Sequence, residues 1–157
     1  MPNSCTVGDS ARAQPELRAL VVFEHRAAAL PWRLLRPGFR HCYCMIGDRL
    51  DWMLCDPLTN RIGLMSVQGL SEAELIRVLA GQGGTVLRGG LCSTLSSHPL
   101  RIRPVSCVEI VKRVLGLDLP RVLTPFQLYR ALLTPAGSRR PFAVATIPDL
   151  DLDNESK

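Results

Sequence analysis

The hairpin that decides the fold lies in residues 39–57, which read FRHCYCMIGDRLDWMLCDP. Two strand-like runs in it, 39–46 and 50–55, are separated by Gly47-Asp48-Arg49, a composition that is typical of a turn. A further strand-like run, 61–67, follows a second turn signal that begins at Pro57. The stretch therefore predicts an antiparallel meander of three strands.

Strand-like and helix-like patterns also flank this hairpin. Two short apolar runs, 17–23 and 85–87, suit buried strands, and residues 89–99 have the composition of a loop. Three segments place apolar residues on one helical face behind a serine or threonine cap, namely 71–79, 106–115 and 124–133. The predicted fold class is α+β, with an antiparallel sheet and the 106–115 helix packed against it.

Length and composition predict one soluble globular domain. The chain has 157 residues, of which 46% are hydrophobic, enough for a single core. We expect a disordered lead-in over 1–16, the working domain over 17–134 and a flexible acidic tail over 135–157 that is partly ordered around 142–147. No run approaches the roughly 20 apolar residues of a membrane span, and the first residues lack the pattern of a signal peptide. These features predict a cytoplasmic or virion-associated protein.

The charge does not indicate a nucleic-acid partner. The formal net charge is +5, but the 19 basic residues are spread along the chain, and aromatic residues make up only 5% of it. Single-stranded nucleic acids are bound by basic grooves interleaved with aromatic stacking platforms, and the sequence has no such arrangement. We therefore expect no nucleic-acid binding.

Cys107 is the candidate nucleophile among the six cysteines. Ser106-Cys107-Val108-Glu109 has the form of a capping box, which predicts Cys107 in the first turn of an amphipathic helix. The unpaired amides and positive end of a helix favour thiolate over thiol and so lower the pKa of a cysteine there. The alternative is a small apolar residue buried at a helix start.

His41 is the best placed base for this thiolate, because it lies inside a strand-like run where the scaffold can aim its ring. His98 falls in a loop rich in serine and glycine, and His25 at the end of a strand. If Gly47 pairs with Leu50, Asp56 lies opposite His41 and can orient the imidazole. Asp56 before a proline can equally begin a turn.

The pattern resembles the circularly permuted branch of the NlpC-type papain-like cysteine peptidases, in which the histidine strand precedes the cysteine helix. Two segments match its YiiX-like members, Cys107-Val108-Glu109-Ile110-Val111 and Thr124-Pro125-Phe126-Gln127-Leu128. The resemblance covers about 39–132. This chain departs from the pattern at Arg40, where the family often has a glycine beside the histidine.

The resemblance implies a papain-like fold and a cysteine-dependent amide hydrolase that needs no cofactor. Cys107 is implied as the nucleophile, His41 as the base and Asp56 as the residue that orients it. The common substrate of the family is the peptide of cell-wall peptidoglycan, although permuted relatives include acyltransferases and thioesterases acting on acyl substrates. Arg40 can bind an acidic group of the substrate, and Trp52 can line the substrate site. A phage product that acts with virion proteins fits the same features.

Two rival interpretations come from other function classes. In the assumed register Cys55 lies opposite Cys42 and near Cys44, so the three thiols, with Cys92, can hold zinc. The alternative is that they are small buried residues that pack under the sheet. Alternatively, a papain-like shell without turnover can act as a structural or interaction protein. Its binding surface would consist of the aromatic residues Trp32, Trp52, Phe126 and Tyr129.

Overall fold

A six-stranded antiparallel sheet forms the centre of the molecule. The computed structural model describes residues 17–26, 34–58, 61–91, 106–134 and 142–145. The strands are β1 (Arg18–Glu24), β2 (His41–Asp48), β3 (Asp51–Pro57), β4 (Ile62–Gln68), β5 (Thr85–Gly90) and β6 (Ala143–Val144), in the spatial order β4-β3-β2-β1-β5-β6. The helices are α1 (Glu72–Gly81), α2 (Cys107–Val114) and α3 (Pro125–Leu133). The predicted α+β class, antiparallel sheet and three-strand meander are confirmed.

The sheet is covered by helices on both faces, so the fold has three layers. On one face, α1 packs its buried residues Leu75, Ile76 and Leu79 over Tyr43 and Trp52. On the other face, α2 and α3 cover a second cluster that includes Cys42, Cys44 and Cys55. Strand β1 is buried on both faces, which explains its unbroken run of apolar residues. None of the helices in these described segments is long and apolar enough to span a membrane.

The register of the β2–β3 hairpin differs from the predicted one by two residues. The turn consists of Arg49 and Leu50, because Asp48 pairs with Asp51 and Cys44 pairs with Cys55. Arg49 has a φ of 48°, a left-handed conformation that the tight turn requires. The prediction that Gly47 pairs with Leu50 is wrong. A shift of two residues leaves every side chain on the predicted face, since side chains alternate along a strand.

The sheet extends beyond the domain boundary expected at residue 134. Strand β6 pairs with β5, and Phe142 immediately before it is buried in the core cluster under α2 and α3. The Phe142 ring packs on Gly89, where a Cβ atom would lie 2.8 Å from the ring. Strand β5 therefore continues to Gly90 instead of ending at residue 87, and part of the expected tail belongs to the domain.

The helices begin at their predicted caps. Ser71 and Thr124 form complete capping boxes with Glu74 and Gln127. At α2 only half of the predicted box is present: the Ser106 hydroxyl accepts from the N–H of Glu109, 3.2 Å away. The Glu109 carboxylate instead extends along the helix, where it forms ion pairs with Lys112 and Arg113.

Lys112 is the one buried charged residue among the described segments, with 3% of its surface exposed. Its Nζ donates to the carbonyls of Leu119 (3.1 Å) and Val122 (2.9 Å) and lies 2.9 Å from the Glu109 carboxylate. These bonds fasten the segment between α2 and α3 to α2, and they give the buried ammonium group the partners it needs.

We predict that Lys112→Ala destabilises the protein by about 2 to 4 kcal/mol, because two carbonyls and a partly buried carboxylate lose their donor. Arg113→Ala is the matched control: Arg113 binds the same carboxylate from a side chain that is 41% exposed, so we expect less than about 1 kcal/mol. Urea unfolding of both variants measures the difference. Equal losses of stability would contradict this role for Lys112.

Candidate active site

Cys107 lies where helix α2 meets the sheet. It is the first residue of α2 and is partly exposed, whereas Val108 and Val111 of the same helix are buried in the core. The Ser106 cap fixes the start of the helix, and the amphipathic pattern fixes which face meets β2 and β3. Cys107 is thereby held against the core cluster under the sheet in a partly exposed position.

The thiol meets β2 at the point where the β2–β3 ladder ends. The last pair of this ladder is Cys44 with Cys55. Continuing the same register would place Pro57 opposite Cys42, and a proline has no N–H to contribute to a ladder. Cys42 is a neighbour of Cys107, and both its thiol and its N–H act to stabilise the Cys107 thiolate. The sulfur of Cys107 therefore lies near the Cys42 N–H, at a position where β3 no longer pairs with β2.

His41 joins the thiol to a carboxylate. Its Nε2 lies 2.7 Å from Oδ1 of Asp56, and both side chains are largely buried, 14% and 18% exposed. His41 is also a neighbour of Cys107, which acts to raise the pKa of the imidazole. Because Nε2 donates to Asp56, Nδ1 is the ring nitrogen left for the thiol. The three predicted residues therefore meet, although Asp56 reaches His41 diagonally and not from the directly opposite position that the sequence predicted.

A second layer of charges holds Asp56. Arg26 donates from Nη2 to Oδ2 of Asp56 at 3.2 Å, and its Nε lies 3.2 Å from Glu24. Glu24 ends β1 directly beside His41 and accepts a hydrogen bond from the Tyr43 hydroxyl. Burial and the neighbouring Glu24 carboxylate both raise the pKa of Tyr43, which keeps this phenol a donor. Both oxygens of Asp56 are thus engaged, one by the base and one by a cation.

These contacts stabilise a thiolate at Cys107. The hydrogen bond from the Cys42 thiol is the largest influence, burial opposes it, and His41 and the Cys42 N–H add to it, so the pKa of Cys107 falls to about 5. Burial raises the pKa of Cys42 well above its ordinary value, so Cys42 remains a protonated donor. The first residues of β2 thus contribute to the low pKa at a thiol that also lies at the predicted helix start.

The base responds in the opposite sense. Burial lowers the pKa of His41, but the contacts with Cys107 and Asp56 outweigh burial and raise it above its ordinary value overall. Since the pKa of Cys107 lies below that of His41, the two groups form a thiolate and imidazolium pair between these values. A ready nucleophile and a proton donor are therefore present together near neutral pH.

Arg40 and Trp52, the predicted substrate-binding residues, have different surroundings. Arg40 lies beside His41 at the entrance to β2, and its Nη1 is 3.1 Å from Nε2 of His25. Trp52 is buried on the α1 face of the sheet, 2% exposed, and donates from Nε1 to the Arg49 carbonyl at 3.3 Å. A ring packed in this core cannot line a substrate site, so that prediction for Trp52 is wrong.

The hairpin thiols do not converge as the zinc hypothesis expected. Cys55 pairs with Cys44, with which it shares a hydrogen bond, while Cys42 contacts Cys107. Within the described ranges, no group of three or more histidine, cysteine or acidic side chains is placed to hold a metal ion. Cys92, the expected fourth ligand, lies outside the described residues.

The predicted aromatic surface is instead an aromatic cluster at the start of β2. Phe39 contacts Phe23, Phe126 and Tyr129, with ring centroids 4.9 to 5.6 Å apart. The Arg36 guanidinium lies 4.0 Å above the Phe126 ring. These rings pack α3 against the two strands that carry the site. Trp32, the remaining member of the predicted surface, lies outside the described residues, as does His98.

Three contributors to the site were missed by the sequence analysis: Cys42, Glu24 and Arg26. Glu24 and Arg26 follow a buried strand as a charged pair around His25, which is a detectable signal. Its meaning depends on β1 lying next to β2, and apolar periodicity does not predict that strand order. Cys42 was considered only as a metal ligand or core residue, because its contact with Cys107 depends on where the ladder ends.

We predict that iodoacetamide labels Cys107 with a midpoint near pH 5, because the labelling rate follows the thiolate, which forms as the pH rises through the pKa of about 5. In His41→Ala the midpoint should move upward, since a cationic hydrogen-bond partner is lost. Mass mapping of labelled peptides across pH separates Cys107 from the other cysteines. A midpoint near 8.5, that of an ordinary thiol, would contradict the assigned contacts.

Comparisons with protein-family models, with curated proteins and with solved structures gave no match to this chain. The resemblance to permuted NlpC-type peptidases therefore rests on the short motifs at Cys107 and Thr124 and on the position of His41 before them. The interpretation of the site rests on the contacts of Cys107, His41 and Asp56.

Proposed function

We propose that the protein is a cysteine-dependent hydrolase that cleaves an amide bond through an acyl-enzyme. The observation that carries this proposal is the contact chain from the Cys107 thiol through His41 to Asp56. A structural thiol has no need of a lowered pKa, a histidine partner and a carboxylate behind that histidine. A non-enzymatic role would leave this combination unexplained.

The proposed reaction follows from the ionised pair. The Cys107 thiolate attacks the carbonyl carbon, and the imidazolium of His41 protonates the leaving amine. Water, deprotonated by the neutral His41, then hydrolyses the thioester and regenerates the thiol. Asp56 holds the ring with Nδ1 toward the sulfur and stabilises its positive charge. No cofactor takes part in these steps.

The start of α2 supplies a place for the oxyanion. Cys107 and Val108 are the first residues of the helix, and amides in a first helical turn have no acceptor within the helix. They point in the direction of the helix axis, where negative charge is also favoured by the aligned peptide dipoles. An oxyanion formed by attack of Cys107 is therefore close to these donors.

A papain-like architecture is the proposed finer description of the fold. Its support is that α2 packs on β2 and β3 with its first residue at the histidine, and that the histidine strand precedes the cysteine helix in the chain. This arrangement fits a permuted papain-like enzyme of the NlpC type.

The proposed substrate is a peptide with an acidic group, and peptidoglycan stem peptides are the leading candidate. Arg40 lies at the entrance to β2 beside His41, and an arginine side chain suits the recognition of a carboxylate. Stem peptides contain carboxylates that such a side chain can bind. The proposed setting is either the cytoplasm or a phage particle that carries the protein with virion proteins to the cell wall.

An acyltransferase or thioesterase is the alternative reaction on the same site. Its acyl-enzyme is identical, and only the acceptor differs: water gives hydrolysis, and an amine or alcohol gives transfer. Partitioning of an activated ester between water and added amine distinguishes the two. Product formed only with the amine would favour acyl transfer.

We predict that Cys107→Ser lowers hydrolysis of peptidoglycan fragments, and of an activated ester, by several orders of magnitude, with stability nearly unchanged. Serine keeps the size of the side chain, but the surrounding contacts cannot ionise a hydroxyl near neutral pH. Cys44→Ser is the matched control, because that thiol faces Cys55 and not the site. Full activity of Cys107→Ser on a substrate that the wild type cleaves would contradict the proposal.

We predict a graded series for the residues behind the nucleophile. His41→Ala should be nearly as damaging as Cys107→Ser, whereas Asp56→Ala should cost less, because orienting a base contributes less than supplying it. Arg26→Ala should cost least, since its contact with Asp56 is largely exposed. The pH dependence of kcat/KM is measured for each variant, and an activity loss from Arg26→Ala as large as that from His41→Ala would contradict this order.

A further inference from the structure

Two cysteines, Cys42 and Cys107, meet at the site, and only Cys107 acts as a nucleophile in the proposed reaction. Cys42 has 0% of its surface exposed and belongs to the buried cluster against which Cys107 packs, where the two thiols are neighbours. Cys107 is partly exposed and lies on the solvent side of this pair. A small reagent from solvent therefore reaches Cys107 first, and Cys42 is reached only through Cys107.

This arrangement is that of an attacking thiolate with a resolving thiol behind it. Thiolate character and exposure make a cysteine susceptible to peroxides, and Cys107 has both. The resulting sulfenic acid is reactive toward a second thiol in contact with it, and Cys42 is already in that position. Cys44 is not an equivalent candidate, since it is hydrogen-bonded to Cys55 across the hairpin.

We propose that Cys107 and Cys42 form an oxidation site at which hydrogen peroxide, or another small hydroperoxide, converts the two thiols into a disulfide. The Cys107 thiolate attacks one peroxide oxygen, the O–O bond breaks, and hydroxide leaves, which gives Cys107 sulfenic acid. The Cys42 sulfur then attacks the Cys107 sulfur, the S–O bond breaks, and the Cys42 proton leaves with the hydroxyl as water. The peroxide is reduced by two electrons, and the two thiols are oxidised by two.

The disulfide has a defined consequence for the site. It consumes the nucleophile and removes the hydrogen bond that the Cys42 thiol donates to it, so hydrolysis stops until a dithiol reductant restores both groups. Disulfide formation also prevents further oxidation of Cys107, since sulfinic and sulfonic acids form only when the oxidised cysteine has no thiol partner. The loss of hydrolysis rests on the proposed function, whereas the formation of the disulfide does not.

The test is peroxide treatment of the full chain at neutral pH, followed by alkylation, tryptic digestion and mass spectrometry. Cys42 and Cys44 lie between Arg40 and Arg49 and share one tryptic peptide, so Cys44→Ser is the parent for mapping. We expect a cross-link between this peptide and the one that carries Cys107, with the loss of two hydrogen atoms, and its disappearance with dithiothreitol. In the Cys42→Ser, Cys44→Ser double variant we expect Cys107 to gain two or three oxygens irreversibly.

Three results would overturn the oxidation site. In the first, Cys107 gains oxygens without a cross-link in the Cys44→Ser parent. In the second, Cys107 pairs with another cysteine, and in the third, peroxide leaves Cys107 unmodified. If the double variant fails to fold, the cross-link in the parent still decides. The mass measurement needs no turnover. A cross-link in a protein without hydrolytic activity would count against the proposed function alone, and hydrolysis without a cross-link against the oxidation site alone.

Discussion

The juxtaposition of the first residues of β2 with the sulfur of Cys107 is the interaction on which the site depends. One helix start and the first two residues of one strand meet at this atom, so the charge of the sulfur, the protonation of His41 and the donor state of Cys42 are set together. The meeting point lies beyond the last pair of the β2–β3 ladder, Cys44 with Cys55.

The remainder of the fold holds the two elements in place. Strand β1 is buried on both faces and fixes β2 through a continuous antiparallel register, in which Glu24 lies beside His41. Helix α2 buries its apolar stripe against the same sheet, and Lys112 ties the following segment back to it. The position of Cys107 relative to His41 is therefore set by two core interfaces and not by a loop, which suits a site that needs fixed geometry.

Local patterns allowed prediction of the elements, and register and strand order limited prediction of the site. Helical periodicity and caps predicted α2 and α3 within a residue or two, and the parity of the hairpin placed His41 and Asp56 on one face. A shift of two residues does not change the face on which a side chain lies. The contact between His41 and Asp56 was therefore predicted although the register was wrong. The part played by Arg26 requires β1 beside β2, and the burial of Trp52 requires α1 above it. Both depend on tertiary packing that periodicity along one segment does not contain.

The central claim is that Cys107 and His41 form an ion pair, and the ring of His41 reports on it directly. An NMR titration of the His41 ring nitrogens in the wild type and in Cys107→Ser measures how far the sulfur supports the imidazolium. The wild-type pKa should lie above the ordinary histidine value and should fall in Cys107→Ser, because the thiolate that raises it is gone. An identical His41 pKa in the two proteins would contradict the claim.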